Sequence, residues 1–213
     1  MARCKSYCVF KRGFDFCSAL LLFLALSPLF LVLMGVVRLS MGAPVFFRQE
    51  RTGKERKRFF LLKFRTMNDA KDGQGRLLQD EERLTPVGRF LRNSSLDELP
   101  ELLNIIKGDM SVIGPRPLYP RYDPYYKESE MDRFKVRGGL IPPEVMYSDS
   151  FLSWDKQFEY EAHYARHLSL ALDTKILISV FKTLFLRSTK DYGAYSRVAL
   201  DVERADMMNK SDD

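Results

Sequence analysis

Between Phe16 and Val37 the chain runs for 22 residues, FCSALLLFLALSPLFLVLMGVV, without a single charge. As one straight helix this stretch would be about 33 Å long, close to the hydrocarbon thickness of a bilayer. No other feature restricts the fold so tightly. A cleaved leader is a poor reading: the run is long, no small-residue cleavage site follows, and VRLSMGAPVFF continues directly as folded chain. Ser27-Pro28 interrupts the middle of the run. Proline lacks an N–H and crowds the preceding turn, so a kink is expected there. Lys5, Lys11 and Arg12 precede the run, and Arg38, Arg48 and Arg51 follow it. Positive charge prefers the cytoplasmic side, so both ends favour the same face. Two architectures meet these terms. One is a kinked spanning helix. The other is a re-entrant hairpin with legs of roughly 17 Å, about one leaflet each. Asp15 is placed to pair with Arg12 or Arg38.

The rest reads as one folded domain. Of 213 residues, 46% are apolar and 29% charged, which excludes a disordered chain. The net charge of +6 favours an anionic partner: nucleic acid, an anionic membrane or a phosphorylated substrate. Cys4, Cys8 and Cys17 cluster near the N-terminus and form neither a disulfide framework nor a zinc spacing. Residues 43–67 read as two β-rich runs around a polar turn at Arg51–Lys57, and residues 68–86 as a surface loop with some helix. TGK lacks the upstream glycine of a phosphate loop. ELLNIIKG predicts a short helix ended by Gly108, and GPRPLYP a stiff extended turn. Two further helices are expected, over 153–167 and 171–186. The second carries Ile176, Leu177, Val180, Phe181 and Leu184 on one face, with Lys175, Lys182 and Arg187 elsewhere. That face fits core packing or a bilayer surface. The tail after Asp201 is charged and is expected to fray. His163 and His167 stand four apart without an HExxH pattern, which fits a surface or packed pair better than a metal site.

The stretch SLDELP raises the chemical question. Ser95 with Glu98 three residues on is a capping-box pattern, and acids suit a first helical turn. Pro100 fits that helix badly, since it falls past the turn where proline is tolerated. Either the helix kinks there or it begins there, with Asp97 and Glu98 on a strained junction. Adjacent carboxylates can supply a nucleophile for phosphorus and can hold Mg²⁺ together with substrate phosphates. Both tasks need cations. Lys63 and Arg65 in KFRTM, Arg89 and Arg92 in GRFLR, and Arg116 between two prolines are the candidates.

The order KRGFDF, an apolar segment with SP, GAPVFFRQERTGKERKRFFLLKFRTM, LTPVGRFLRNSSLDELPELLNIIKGDMSVIGPRP and a Trp-containing helix resembles the bacterial sugar transferase family. These are the monotopic phosphoglycosyl transferases. The likeness is closest to the small members and covers roughly residues 9–187, with Leu84–Pro117 its most specific block.

The resemblance implies an α+β fold. A membrane hairpin (1–40), re-entrant and broken at Ser27-Pro28, precedes a mostly helical catalytic domain (41–190) with a short β-hairpin and interfacial amphipathic helices. A charged tail (191–213) follows. It implies transfer of a sugar 1-phosphate from a UDP-sugar to polyprenyl phosphate, usually undecaprenyl phosphate, with Mg²⁺ and a covalent phosphosugar on Asp97. Glu98 would assist as base or metal ligand, and the family's phosphate-binding lysine and arginine map onto Lys63 and Arg116; Arg65 and Arg92, from their basic motifs, are further candidates to bind substrate phosphate. The implied location is the cytoplasmic face of a bacterial inner membrane, with the lipid bilayer as partner and a homodimer left open. No nucleic-acid-reading motif is present. The alternative function is a catalytically silent, membrane-anchored scaffold for glycan-assembly enzymes. One departure stands out. Residues 136–146 read VRGGLIPPEVM where the family has a segment like VRPGITGWAQV, and this leaves the donor sugar open.

Overall fold

The computed structural model describes residues 2–147, 152–186 and 197–209. Helix α1 (Ala2–Ala25) and helix α2 (Ser27–Met41) are followed by strands β1 (Phe46–Thr52) and β2 (Arg58–Phe64), which pair in a two-stranded sheet. Then come α3 (Asp80–Arg83), α4 (Pro86–Asn93), α5 (Glu101–Lys107) and β3 (Met110–Ile113). Strand β4 (Gly138–Ile141) pairs with β3 in parallel, Met110 opposite Gly138 and Ile113 opposite Ile141. Helices α6 (Trp154–Arg166), α7 (Leu170–Leu186) and α8 (Leu200–Asn209) complete the chain. The architecture is mixed, mostly helical with small sheets.

The kink expected at Ser27-Pro28 is present, and its chemistry is local. The α1 segment Tyr7–Ala25 and α2 are bent by 65°. Leu26 leaves helical geometry at φ −91°, ψ 3°, which places Pro28 in the first turn of α2, where a missing N–H is tolerated. The Leu24 carbonyl would have accepted from the nitrogen of residue 28. The Ser27 hydroxyl takes that bond instead, at 2.8 Å. No single helix among the described residues is long and apolar enough to cross a membrane, but this bent pair together meets the length and composition of a span.

The chain divides into two compact units. One contains residues 15–49 and 60–108. Its core is Phe30, Leu33 and Val37 from α2, Phe64 from β2 and Leu91 from α4. The Phe30 ring lies 5.0 Å from that of Phe64, which stacks on Phe46 at 5.6 Å. One stripe of α2 is therefore protein-facing. Leu21, Leu24, Leu31, Val32 and Leu39 are exposed. Gly88 packs so closely on the chain that a Cβ would lie 1.8 Å from the Thr66 carbonyl oxygen.

The other unit contains residues 1–14, 50–59 and 109–213. Its aromatic core joins Leu118, Tyr122, Tyr126, Phe134, Trp154, Phe158 and Leu200. A second cluster contains Ile113, Tyr164, Leu168 and Ile176. Asp173 on α7 holds the start of α1, accepting from Tyr7 at 2.6 Å, Lys11 at 2.8 Å and Tyr164 at 2.7 Å. On α7, Asp173 and Ile176 are buried while Leu170, Ile178 and Phe181 are exposed, so the helix has both a core face and an apolar outer face. Arg187, expected near its end, lies outside the described residues, as do tail residues 191–196 and 210–213.

Two local expectations change. The charged stretch from Asp201, expected to fray, is helical to Asn209. Leu200 enters the core, and Arg204 is buried against Glu130 at 2.6 Å and Asp155 at 2.6 Å. Burial of one leucine and a satisfied guanidinium outweighs the loss of solvation. The divergent segment 136–146 supplies β4, which was not foreseen. A Cβ at Gly139 would fall 2.0 Å from the Gly114 nitrogen, so only glycine allows this close backbone approach. Downstream, Glu144 buries Oε2 without a hydrogen-bond partner. Burial, with the neighbouring Glu161 charge adding to it, pushes its carboxyl up to about 8.

Two outcomes follow. Gly88→Ala should destabilise the protein by roughly 1–3 kcal/mol, read as a lowered Tm in detergent, because the added methyl meets backbone; an unchanged Tm would contradict the packing. Glu144 titrates at 4.5 as its reference value and at about 8 when folded, so between these the folded protein holds a proton the unfolded chain has released. Its stability contribution is therefore full below about pH 4.5 and lost as pH rises through 8. Glu144→Gln should leave stability at pH 4 nearly unchanged and raise it at pH 8.5 by an amount on the order of a few kcal/mol. Parallel stability–pH curves for the two proteins would refute this.

Candidate active site

Helix α5 is docked on β2 by one buried side chain. Asn104 accepts from the Leu62 N–H at 3.0 Å and donates to the Phe60 carbonyl at 2.8 Å. Its amide thus does for the edge of β2 what a peptide group of a further strand would do. Lys63 lies next along β2 and meets acids at the start of α5. Its Nζ is 2.5 Å from Glu98 Oε1 and 3.3 Å from Glu101 Oε1.

The acidic pair sits on an irregular junction. Ser95 adopts φ 56°, ψ 18°, a left-handed conformation that costs a non-glycine residue on the order of 1 kcal/mol. Leu96–Glu98 form a single 3₁₀ turn, and α5 begins after Pro100. Of the two arrangements open from the sequence, the helix starts at the proline rather than kinking at it. The Ser95 side chain makes no cap bond, so the capping-box pattern is not used.

Asp97 is half-buried. Burial raises its pKa above the usual carboxylate value, and the Glu98 charge adds to the rise; Lys63 and Arg92 pull the other way. Arg92 is exposed, and its Nε donates to Thr66 Oγ1 at 3.1 Å. Lys63, Arg92, Asp97 and Glu98 are therefore one electrostatic cluster within a single unit.

The other basic residues are placed differently. Arg65 is buried and its guanidinium is committed to the chain. Nε donates to the Met67 carbonyl at 2.8 Å, Nη1 to those of Ala43 at 3.0 Å and Met41 at 3.3 Å, and Nη2 lies 2.5 Å from Asp69 Oδ2. Arg116 belongs to the other unit. It is exposed between buried Pro115 and Pro117. His163 and His167 stack at 4.2 Å on the outside of α6.

Among the described residues no three His, Cys, Asp or Glu side chains gather at metal-binding distance. Two adjacent carboxylates without a third protein ligand suit a hard ion that keeps water and takes phosphate oxygens, as Mg²⁺ does. Asp97 and Glu98 fit that ion. Sequence reasoning missed Glu101, Thr66 and Asn104. Glu101 carried a signal, as an acid three positions after Glu98 and so on the same face; the other two are visible only in the folded chain.

A family model described as bacterial sugar transferase matches residues 6–187. A sugar transferase of Bacillus subtilis (strain 168), EpsL, is 45% identical over 177 residues, covering 83% of this chain and 88% of the relative. The exopolysaccharide production protein ExoY of Sinorhizobium fredii (strain NBRC 101917 / NGR234) is 38% identical, covering 82% and 83%. The UDP-glucose:undecaprenyl-phosphate glucose-1-phosphate transferase of Escherichia coli (strain K12) is 35% identical, covering 81% of this chain but 39% of the relative. A match of this extent, spanning the acidic pair and every clustered cation, assigns the chain to the bacterial sugar transferase family.

Proposed function

We propose that this chain transfers a sugar 1-phosphate from a UDP-sugar to polyprenyl phosphate, releasing UMP, through a phosphosugar carried on Asp97. The observation that carries the reading is the separation of roles in the acidic pair. Lys63 engages Glu98 at 2.5 Å, while Asp97 stands one residue away on a strained 3₁₀ turn, half-buried beside two cations.

In the first step an Asp97 carboxylate oxygen attacks the β-phosphorus of the donor. The bond from that phosphorus to the bridging oxygen breaks, and UMP leaves with the electron pair. An acyl phosphate remains on Asp97. In the second step a phosphate oxygen of the lipid attacks the same phosphorus, the carboxylate is released, and a lipid diphosphate sugar is formed. No net proton is needed at either phosphorus. Lys63 and Arg92 offset phosphate charge as the donor binds. Asp97 and Glu98 would hold Mg²⁺, which would supply charge stabilisation at the departing phosphate. Arg116 is a further phosphate ligand in this reading. Arg65 is a strut that fixes the exit of α2.

The acceptor explains the bent helix pair. A lipid phosphate stays at the bilayer surface, so the enzyme must work there. A 65° bend, exposed Leu21, Leu24, Leu31, Val32 and Leu39, and basic residues at both ends support a segment that enters one leaflet and returns to the cytoplasmic face. The exposed Leu170, Ile178 and Phe181 of α7 support a helix lying at the interface.

Asp97→Asn should abolish UMP release from a panel of UDP-sugars supplied with undecaprenyl phosphate, by at least about 10³-fold, while the protein stays in the membrane fraction. Full turnover by that variant would overturn the reading. The pH profile gives a second check. Because Asp97 must be ionised to attack, and burial raises its pKa in the free protein, the acid limb of kcat/KM should lie above the ordinary aspartate range. Lys63→Met removes the cation with the larger lowering effect on Asp97, and should move that limb to still higher pH. A limb that stays in place or moves down would contradict this assignment.

A further inference from the structure

The reach of Arg116 depends on where its backbone points. Proline at 115 and proline at 117 fix their own φ, and a residue before proline is biased to extended geometry. Neither proline sets both torsions of Arg116. Two buried side chains do. The Arg116 N–H donates to Glu161 Oε1 at 2.9 Å, and the Arg116 carbonyl accepts from Arg133 Nη2 at 2.8 Å. Arg133 Nε closes the ring on Glu161 Oε2 at 2.7 Å. Both peptide planes flanking the Arg116 Cα are therefore held by one ion pair, and φ and ψ are fixed together. The side chains of that pair are 2% and 0% exposed.

Burying a full ion pair is a weak source of stability, because desolvation offsets the attraction. Here the pair is further held in place rather than left to find its own geometry. Tyr126 OH accepts from Arg133 Nη1 at 3.0 Å, and Gln157 Nε2 donates to Glu161 Oε1 at 3.0 Å. Arg197 donates to Gln157 at 2.7 Å and lies 3.4 Å over the Trp154 ring. Arg197 is beyond residue 187, where the family match ends. Glu144 is a neighbour of the same cluster, and its raised pKa keeps its carboxyl neutral at pH 7.

We propose that Glu161 and Arg133 are positioning residues that fix the Arg116 backbone and so set how its guanidinium is presented to a nucleotide diphosphate. This rests on the reading of Arg116 as a phosphate ligand. A structural role alone would change the amount of folded protein. A positioning role changes the affinity of folded protein, and does so only while Arg116 is present.

The test is a double-mutant cycle read by equilibrium binding of radiolabelled UDP, with Mg²⁺, to full-length protein in nanodiscs, counted per folded molecule. Arg116→Ala is expected to weaken UDP binding by at least about tenfold, and Arg133→Lys, which loses the fork that reaches both Glu161 and the Arg116 carbonyl, by about tenfold. Their combination should be within about twofold of Arg116→Ala alone. Losses that multiply in the double variant, or Arg133→Lys binding UDP like the parent, would overturn the positioning role while leaving Arg116 as a ligand. UDP binding untouched by Arg116→Ala would overturn the ligand reading itself and the positioning role with it. Glu161→Gln keeps an oxygen for the Arg116 N–H and provides the same cycle if Arg133→Lys does not fold; a weakening that depends on Arg116 is again expected, and one that does not is again contrary.

Discussion

The proposed chemistry rests on the junction between Ser95 and Pro100. A regular helix through this stretch would place Asp97 and Glu98 in its first turn as capping acids, solvated and ordinary. The left-handed Ser95 and the proline prevent that. They confine the pair to one 3₁₀ turn, and docking of α5 through Asn104 sets that turn beside Lys63. The result is asymmetry between two neighbouring acids. Glu98 has a fixed cation partner. Asp97 is desolvated, and its ionised form is harder to maintain. A carboxylate that is poorly solvated but still ionised is a better nucleophile than one in bulk water.

The arginines show how burial sorts residues that look alike in sequence. Arg65 and Arg92 both sit in basic motifs beside the acidic pair. Arg65 directs its guanidinium to the Met41, Ala43 and Met67 carbonyls and to Asp69, and so ties the end of α2 to the end of β2. Arg92 stays exposed, touches Thr66 and acts on Asp97 through its charge. In the other unit Arg116 contributes an exposed side chain while its backbone is held by buried partners. The same residue type is held by its guanidinium in Arg65, acts through its charge in Arg92 and is held by its backbone in Arg116.

Much of this was legible before folding. The break in the apolar run, the paired strands at 46–64, the helix ended by Gly108 and the helices α6 and α7 follow from periodicity and from glycine and proline chemistry. Asp97, Glu98, Lys63 and Arg92 were singled out from spacing and family likeness, and the folded chain brings these four together. Other features were hidden because they depend on partners distant in sequence. Strands β3 and β4 are four residues each, and Gly138-Gly139 carries no strand signal. The order of α8 comes from Glu130 and Asp155, more than 45 residues away. The use of Arg65 as a strut could not be read from KFRTM, since three of its acceptors are backbone carbonyls. The capping-box reading of Ser95 failed because Pro100 delays the helix.

The proposed reaction has one carboxyl group receive a phosphosugar from a soluble nucleotide and hand it to a lipid. The most direct measurement is the intact mass of the full-length protein after incubation with a turnover-competent UDP-sugar and Mg²⁺, without acceptor, followed by peptide mapping. The account predicts a mass increase of one sugar phosphate, located on Asp97 and discharged when undecaprenyl phosphate is added. An unmodified protein that releases UMP only when donor and acceptor are both present, or a label located on Glu98, would contradict it.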